Sequence, residues 1–200
     1  MSDFDELVRQ IHDCRKCALS EKRTNAVPGE GSLTADIMFI GEGPGFNEDR
    51  DGRPFVGRSG RFLDEMLAGI GLRRQDVYIT NVVKCRPPGN RDPLPSEIEA
   101  CNPYLDAQIE MIAPTVVVML GKYSFNRFFP GESIGRARGK PRNWNGVIAY
   151  PMYHPAAALH NPGLRPIIEE DFRNLLKQLE KREAEPKKVD EAPAEQLSLF

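Results

Sequence analysis

Hydrophobic residues form two different patterns along this chain, short continuous runs and a helical repeat, and the two alternate. Four short, strongly apolar runs border on Gly, Pro or Asp residues, a pattern typical of buried strands. They cover residues 35–40, 77–83, 115–120 and 147–153. Other segments repeat apolar side chains every three to four residues and predict helices over residues 5–14, 59–71, 95–114, 122–129 and 167–179. Strands that alternate with helices indicate βαβ units, so we expect an α/β fold with a four-stranded parallel sheet.

The first apolar run ends in a glycine-rich loop, Gly41–Gly45. Ligands of open α/β sheets bind beyond the carboxyl ends of strands, and glycines let backbone amides approach them closely. The spacing G-x-G-x-G differs from the dinucleotide-binding turn, Pro44 removes an amide, and Glu42 would repel a phosphate. An uncharged or cationic ligand is therefore favoured over a nucleotide. The next segment, residues 46–57, is too polar for a core element and is expected to be a long loop.

Composition narrows the class of protein. The chain has 200 residues, a net charge of −2 and no apolar run of about 18 residues that could span a membrane. Its acidic first residues lack the apolar core of a secretory leader, so we expect a cytoplasmic protein. The overall charge argues against a globally basic nucleic-acid binder. However, residues 180–200 account for the whole −2, and residues 122–142 hold six basic residues and one acidic residue.

Three of the predicted strands end at or near a polar side chain: Glu42, Asn81 and His154. Because the carboxyl ends of parallel strands meet at one edge of a sheet, we expect these groups to converge. Singly, Asn81 could cap a turn, and His154 could be a buried, hydrogen-bonded histidine. Together they offer a carboxylate, an amide and an imidazole. An amide can read a base edge, and Phe55 could stack on a base, although it could equally be a core residue.

Four cysteines in a cytoplasmic protein favour a metal or cluster over disulfides. The spacing Cys14-x-x-Cys17 suits two thiolates on one ion, whereas Cys85 and Cys101 are too far apart for a second zinc-ribbon knuckle. The residues alone leave three alternatives: a four-thiolate zinc site, an iron–sulfur cluster, or four buried free thiols.

Several motifs occur together in an order that is typical of one enzyme family. They are Gly41-Glu-Gly-Pro-Gly45, Glu48-Asp49, Gly52-Arg-Pro-Phe-Val-Gly57, Thr80-Asn-Val-Val-Lys-Cys-Arg-Pro-Pro-Gly-Asn-Arg91 and Tyr153-His-Pro-Ala156. From about residue 14 to residue 179 the chain resembles the family 4 uracil-DNA glycosylases. The resemblance implies a three-layer α/β/α fold with a four-stranded parallel sheet. It also implies a DNA repair enzyme that flips uracil out of DNA and hydrolyses its N-glycosidic bond, leaving an abasic site.

The resemblance assigns roles in binding the base. Phe55 is expected to stack on the flipped uracil, Asn81 to hydrogen-bond its polar edge, and the backbone amide of Gly43 to lie beside it. Glu48 would stand where the methyl group of thymine would go. His154 would face uracil O2, where a hydrogen bond strengthens as charge builds on the departing base.

The resemblance leaves two candidates for the residue that positions the attacking water. Gly43 stands where the best-known uracil glycosylases carry an aspartate that activates water, so Glu42 and Asn90 are the candidate water-positioning residues. A covalent-binding relative of the family carries a basic, histidine-containing insertion, which this chain lacks between residues 81 and 101. Ordinary turnover is therefore expected. The alternative is a covalent or non-turnover uracil-DNA binding module, or a polymerase-associated domain of the same superfamily.

The resemblance also selects among the alternatives for the cysteines. All four, Cys14, Cys17, Cys85 and Cys101, match the family's ligands of a [4Fe–4S] cluster. A structural role is expected, because hydrolysis needs no electron.

DNA contacts are expected from basic residues and from one apolar residue. The basic residues are Lys84, Arg86, Arg91, Arg136, Arg138, Lys140 and Arg142. Such side chains suit DNA phosphates, although a charge run is usually a solvated face. Leu159 lies in the segment that matches the family's minor-groove insertion loop, and we expect it to fill the gap left by the extruded nucleotide.

The last part of the chain differs in composition. Residues 183–195 are rich in Ala, Pro, Lys and Glu and are expected to form a disordered linker after a glycosylase domain of residues 1–182. The terminal peptide, residues 196–200, resembles the pentapeptide with which bacterial proteins bind the DNA polymerase sliding clamp. Its expected contacts are Gln196, Leu197, Leu199 and Phe200. We expect a monomer that associates with the nucleoid through DNA.

Overall fold

The computed structural model of the protein describes residues 2–184. Within that range six strands form one sheet. They are β1 (Glu30–Gly31), β2 (Ile37–Gly41), β3 (Tyr78–Asn81), β4 (Val116–Leu120), β5 (Arg142–Trp144) and β6 (Val147–Met152). Their spatial order is β1-β3-β2-β4-β6-β5. The four predicted strands form its centre and pair in parallel, which confirms the α/β class.

The predicted number of four strands is too small, because both edges of the sheet carry an additional strand. β1 pairs antiparallel with β3, and β5 pairs antiparallel with β6. The two edge strands are only two and three residues long, respectively. So short a segment shows no alternation of polar and apolar side chains, and only its backbone partners define it as a strand.

Nine α-helices occur among residues 2–184. They are α1 (Asp3–Asp13), α2 (Leu19–Lys22), α3 (Phe46–Asp51), α4 (Arg58–Gly69), α5 (Pro95–Ile112), α6 (Lys122–Phe128), α7 (Ile134–Ala137), α8 (Pro155–His160) and α9 (Arg165–Ala184). The five predicted helices are confirmed as α1, α4, α5, α6 and α9, and α9 is longer than predicted.

The segment expected to be a long loop contains the short helix α3. Its first turn is capped by Glu48, whose Oε2 accepts a hydrogen bond from the amide of Gly45 at 3.1 Å. It ends at Gly52, which adopts a left-handed conformation with φ +69°. The buried residues of α3 are the acidic Glu48 and Asp49. Apolar periodicity could not reveal a helix that buries carboxylates.

Helices cover both faces of the sheet. Met38 and Ile40 of β2 point into one core, which α1 and α5 complete, whereas Ile37 and Phe39 point into a second core with α4 and α9. The alternation follows from the period-2 geometry of a strand. Two cores on opposite faces of one sheet confirm the three-layer α/β/α arrangement.

Most of the expected linker, residues 183–195, and the whole clamp-binding peptide, residues 196–200, lie outside the described residues. None of the helices among residues 2–184 is both long enough and apolar enough to cross a membrane.

Candidate active site

Gly41, the last residue of β2, is the point at which two of the predicted site residues meet. β2 and β3 pair in register with Gly41 beside Asn81. A Cβ atom built on Gly41 would collide with Oδ1 of Asn81 and would lie 2.7 Å from Cζ of Phe55. Glycine alone leaves enough room here. It lets the amide of Asn81 and the ring of Phe55 come together at the carboxyl edge of the sheet.

Phe55 is both a core residue and a wall of this site. Its side chain is 5% exposed, and its backbone has the unusual φ of +52° for a non-glycine residue. Arg74 holds that conformation by donating to the carbonyl oxygens of Phe55 and Pro54, at 3.1 and 2.6 Å. The same guanidinium pairs with Glu30 and Asp64. The loop that carries Phe55 is therefore tied to the sheet edge and to α4.

Glu48 fixes the other end of the same loop. Its carboxylate is 9% exposed and accepts hydrogen bonds from three backbone amides: Gly45 at 3.1 Å, Val56 at 2.9 Å and Gly57 at 2.8 Å. A charged acceptor with several amide donors makes strong hydrogen bonds. Glu48 thus joins α3 to the segment after Phe55. Sequence analysis did not identify this structural role.

His154 faces Phe55 across the end of the sheet. The two rings lie nearly parallel, with centroids 5.5 Å apart and an interplanar angle of 27°. Nδ1 of His154 accepts a hydrogen bond from the amide of Ala156 at 3.1 Å, as the N-cap of α8. Burial lowers the pKa of His154 to about 4, against the opposing effect of the Glu48 charge. At neutral pH the imidazole is therefore uncharged, and its single proton is on Nε2.

Gly121 makes space for this histidine. It follows β4 directly and has a φ of +92°, and a Cβ built on it would lie 3.0 Å from Cβ of His154. The parallel pairing of β4 with β6 brings the two positions together, since Leu120 pairs with Met152. A glycine after an apolar strand was the available sequence signal, but it could not show which side chain Gly121 accommodates.

Glu42 lies one residue beyond β2, in a setting that favours its protonated form. Burial and the charge of Asp92 raise the pKa of Glu42 to about 7, with Lys122 acting in the opposite direction. Asp92 accepts a hydrogen bond from the hydroxyl of Tyr123. A carboxylate with a pKa near neutrality can exchange a proton with water in the working pH range. Asp92, which sequence analysis missed, is the neighbour whose charge raises the pKa of Glu42.

Asn90, the other candidate water-positioning residue, already has a partner. Its Oδ1 accepts a hydrogen bond from Nε of Arg86 at 2.7 Å, and its backbone adopts a φ of +56°. The side chain therefore orients Arg86. Of the two candidates, Glu42 is the one with an ionisable side chain.

Lys84, one of the basic residues expected to contact DNA, is not available for that role. It is 1% exposed, and its ammonium donates to Thr80 Oγ1, Asn81 O and Gln108 Oε1, each at 2.7 Å. Burial lowers its pKa to about 8. Lys84 supports the backbone of Asn81 from inside the protein.

The remaining basic residues fall into two groups. Arg91 forms a bidentate pair with Glu97, at 2.7 and 2.9 Å, and Arg138 pairs with the buried Asp171 at 2.6 Å. These two have intramolecular structural partners. Three others, Arg136, Lys140 and Arg142, line one basic concavity, and Arg142 pairs there with Glu132. Leu159 lies on α8 with 36% exposure.

The four cysteines line a single cavity on the α1 and α5 side of the sheet, although they come from separate parts of the chain. Cys14 and Cys17 follow α1, Cys85 follows β3, and Cys101 lies in α5. Arg23 donates to Sγ of Cys85 at 2.9 Å. All four are free thiols.

This donor set suits a metal group that is held by thiolates. Zinc holds four thiolates at about 2.3 Å, which requires tightly clustered sulfurs. Among the side chains that the structure describes, residues 2–179, no group of three or more His, Cys, Asp or Glu residues is arranged to hold a metal ion. Burial raises the pKa of Cys101 to about 11, so a bound cation is needed to keep it a thiolate. Four thiols that line one cavity are the ligand set of an iron–sulfur cluster.

Comparisons with known proteins agree with this geometry. Residues 28–180 match the model of the uracil DNA glycosylase superfamily. The chain is 52% identical over 185 residues to the Type-4 uracil-DNA glycosylase of Sulfurisphaera tokodaii, covering 88% of this chain and 84% of that protein. It is 50% identical over 185 residues to that of Saccharolobus solfataricus, covering 88% and 86%. It is 49% identical over 168 residues to that of Thermotoga maritima, covering 82% and 88%. The chain therefore belongs to the uracil-DNA glycosylase superfamily and, within it, to the Type-4 uracil-DNA glycosylases.

Proposed function

We propose that this protein excises uracil from DNA by hydrolysing the N-glycosidic bond, as the first step of base excision repair. The observation that carries the proposal is the packing of the His154 ring against Phe55, with Nδ1 occupied by the amide of Ala156, so that the proton of a neutral imidazole is on Nε2. A neutral donor next to an amide and an aromatic ring suits an uncharged, planar base. The names of the similar proteins support the same substrate.

Recognition of uracil is assigned to the groups around Gly41. The side-chain amide of Asn81 can donate to a carbonyl oxygen and accept from the ring N–H of uracil, which distinguishes uracil from cytosine. The ring of Phe55 and the amide of Gly43 border the base. The Glu48 carboxylate is held by three amides, so it cannot move aside to admit the methyl group of thymine.

Bond cleavage places negative charge on the departing uracil. The bond between N1 and C1′ breaks, the electron pair stays on the base, and the sugar passes through an oxocarbenium-like state. Nε2–H of His154 donates to O2, where the charge accumulates. Loss of one such donor costs about 10²–10³ in rate. A neutral imidazole stays a hydrogen-bond donor throughout and does not need to transfer its proton.

Glu42 is assigned to the water molecule that completes the reaction. The water oxygen bonds to C1′, and its proton passes to the carboxylate of Glu42. The raised pKa of Glu42 makes it an effective acceptor near neutral pH. Asn90 is assigned an indirect role, because its oxygen holds Arg86.

The cysteine cavity is assigned to a [4Fe–4S] cluster held by Cys14, Cys17, Cys85 and Cys101. These thiolates would hold such a group, which would then join the end of α1 to the segment after β3 and to α5. The hydrolysis needs no electron transfer, so the proposed role is structural.

Contacts with the DNA outside the flipped nucleotide are assigned to two surfaces of the protein. Arg136, Lys140 and Arg142 surround one concavity and offer positive charge to DNA phosphates. Leu159 is proposed to fill the space that the uracil leaves, which offsets part of the unstacking cost of a few kcal/mol.

A direct test incubates the full-length protein with a uracil-containing oligonucleotide and cleaves the product with alkali. Multiple turnover that releases free uracil is expected, together with an absorption band near about 400 nm in the same sample. His154→Gln should lower the single-turnover rate about 10²–10³-fold. A stable protein–DNA complex without turnover would indicate the binding-module alternative, and unaltered uracil-DNA would refute the proposed function.

The C-terminal peptide is assigned the function of binding the sliding clamp. Its sequence, Gln196-Leu-Ser-Leu-Phe200, places large apolar residues at the end of a charged segment. Deleting residues 196–200 should abolish capture by immobilised bacterial clamp and leave uracil excision unchanged. Glu195→Ala serves as the control that should still bind. Undiminished capture of the truncated protein would overturn this assignment.

A further inference from the structure

We propose that Phe46 and Arg86 form a stacking shelf that binds the nucleotide next to the flipped uracil. This proposal rests on the proposed function, since it takes uracil-containing DNA as the ligand of the site. The shelf lies beside the base pocket and uses neither Asn81 nor His154. It would add affinity for the DNA strand without reading its sequence.

The first observation is the exposure of Phe46. Its side chain is 57% exposed, more than any other large hydrophobic residue that is exposed among residues 2–184. It is the first residue of α3, directly after the loop that carries Gly43. Single exposed apolar residues are common, so exposure alone does not indicate a site. An aromatic face at the entrance of a DNA-binding pocket is, however, the usual platform for an unpaired base.

The second observation is the position of Arg86 over that ring. Its guanidinium carbon lies 5.1 Å from the centroid of Phe46, and its Nε donates to Oδ1 of Asn90 at 2.7 Å. The side chain is thus held in place at two points. Arg91 and Arg138 are each paired with a carboxylate, whereas Arg86 has no acidic partner among the described side chains of residues 2–179. Its charge remains available to a DNA phosphate.

The third observation connects this pair to the base pocket. A Cβ built on Gly43 would lie 2.7 Å from Cγ2 of Val83 and 3.9 Å from Cδ of Pro87. The amide of Val83 also donates to the carbonyl oxygen of Glu42 at 3.1 Å. The segment that carries Arg86 therefore packs directly on the Gly43 loop, from which Phe46 follows. A nucleotide bound by this pair would be the neighbour of the nucleotide in the pocket.

Together these groups match the parts of one nucleotide. The phenyl ring offers a face for a base, and Arg86 offers a fixed cation for the adjoining phosphate. Every base has a π-face, so stacking of this kind tolerates any sequence. The shelf should contribute most on single-stranded DNA, where the neighbouring base is free to leave its own stack.

The experiment measures binding to single-stranded oligonucleotides that contain the uncleavable 2′-fluoro-2′-deoxyuridine. Two further oligonucleotides replace the base on the 5′ or the 3′ side with an abasic tetrahydrofuran. Phe46→Ala should weaken binding of the full-length protein to the intact oligonucleotide about 5- to 150-fold, the range measured for loss of one base–aromatic stack. The same substitution should have no effect on one of the two abasic oligonucleotides. Phe46→Trp should bind like the wild type.

Control variants separate the shelf from general effects. Leu33→Ala removes another exposed apolar side chain, which is 44% exposed, and should leave binding unchanged. Arg86→Gln should reduce the slope of log affinity against log salt by about one, whereas Arg9→Gln on α1 should not. Equal losses for Phe46→Ala on the intact and both abasic oligonucleotides, or no loss on any of them, would overturn the shelf. Since these ligands are not cleaved, wild-type turnover on ordinary uracil-DNA tests the proposed function separately.

Discussion

The loop around Glu48 and the cavity lined by the four cysteines are held in place by different means. Three backbone amides donate to Glu48, and Arg74 makes two further hydrogen bonds to the carbonyls around Phe55. In the cysteine cavity the corresponding contacts are few. Cys85 accepts from Arg23, and Cys101 accepts from the amide of Lys84 at 3.3 Å.

The difference indicates which half of the molecule is preorganised. The base pocket is built from hydrogen bonds that the protein makes with itself, so it should persist without any bound group. The cysteine cavity joins three distant chain segments through sulfurs, which are weak hydrogen-bond acceptors. Its stability should depend on the group that it binds. Variants in the two regions should therefore produce separable effects.

The largest effect is expected from Cys101→Ser. If the proposed cluster is bound, losing one cysteine should release it, and with it a stabilisation on the order of 10 kcal/mol, the magnitude known for structural zinc sites. Iron content, absorbance near about 400 nm and melting temperature should fall together. Ala100→Ser, at a neighbouring position that lines the same cavity, is the matched control and should keep all three. A Cys101→Ser protein with the wild-type melting temperature would contradict the dependence of the cysteine cavity on its bound group.

Glu48→Ala should damage the base pocket without affecting the cysteine cavity. Three amides lose a charged acceptor, so the free energy of unfolding should fall by about 3 kcal/mol, or roughly 6–12 °C in melting temperature. Displacement of the Phe55 loop by about 1 Å should lower kcat/KM about 10²-fold. Iron content should stay at the wild-type level.

Glu48→Gln provides the graded comparison. Its amide oxygen can still accept from Val56 and Gly57, and only the bond from Gly45 is lost. The expected loss of stability is about 1 kcal/mol. Loss of iron in either Glu48 variant would show that the two regions are not independent.

Arg23→Gln should weaken the cysteine cavity by a smaller amount. Arg23 donates to Sγ of Cys85 and to the carbonyl oxygens of His12 and Cys14, so it connects the end of α1 to the segment after β3. Hydrogen bonds to charged groups contribute about 1.5–3 kcal/mol. Removal of iron by a chelator should be about tenfold faster than in the wild type, with uracil excision by the loaded protein unchanged. Arg15→Gln, whose side chain donates to the carbonyl of Ser20, is the control.

The smallest effect is a pH dependence confined to the base pocket. With a pKa of about 7, Glu42 is mostly protonated at pH 6 and mostly ionised at pH 8, so single-turnover excision should rise about tenfold between them. His154, with a pKa of about 4, stays neutral throughout. Glu42→Gln should be slow and independent of pH. Asp92→Asn should shift the profile to lower pH by removing a neighbouring charge.

The same carboxyl group links pH to stability. Its pKa is raised in the folded state, so its contribution to stability is complete below about pH 4.5 and is lost as the pH rises through 7. Glu42→Gln should therefore be more stable than the wild type at pH 8, by a larger margin than at pH 4.5. Absorbance near about 400 nm should not change between pH 6 and 8. A change in this absorbance between pH 6 and 8 would contradict the separation of the base pocket from the cysteine cavity.

The apolar pattern alone determined much of the fold. It predicted the four parallel strands and the five longer helices, because burial of a strand or helix face imposes a period on the side chains. It also put Glu42, Asn81 and His154 at the ends of strands. The sequence motifs predicted the family. The resemblance to that family then predicted that the four cysteines act together.

Tertiary structure decided what each polar group does. Glu48 holds a loop, Lys84 is buried behind Asn81, and Arg91 and Arg138 are paired with carboxylates. The helix α3 and the two edge strands likewise depend on distant partners. The physical reason is that burial is encoded locally, by residue type and spacing. A hydrogen bond or ion pair depends on which groups the fold brings within about 3 Å of one another, and no period in the sequence records that.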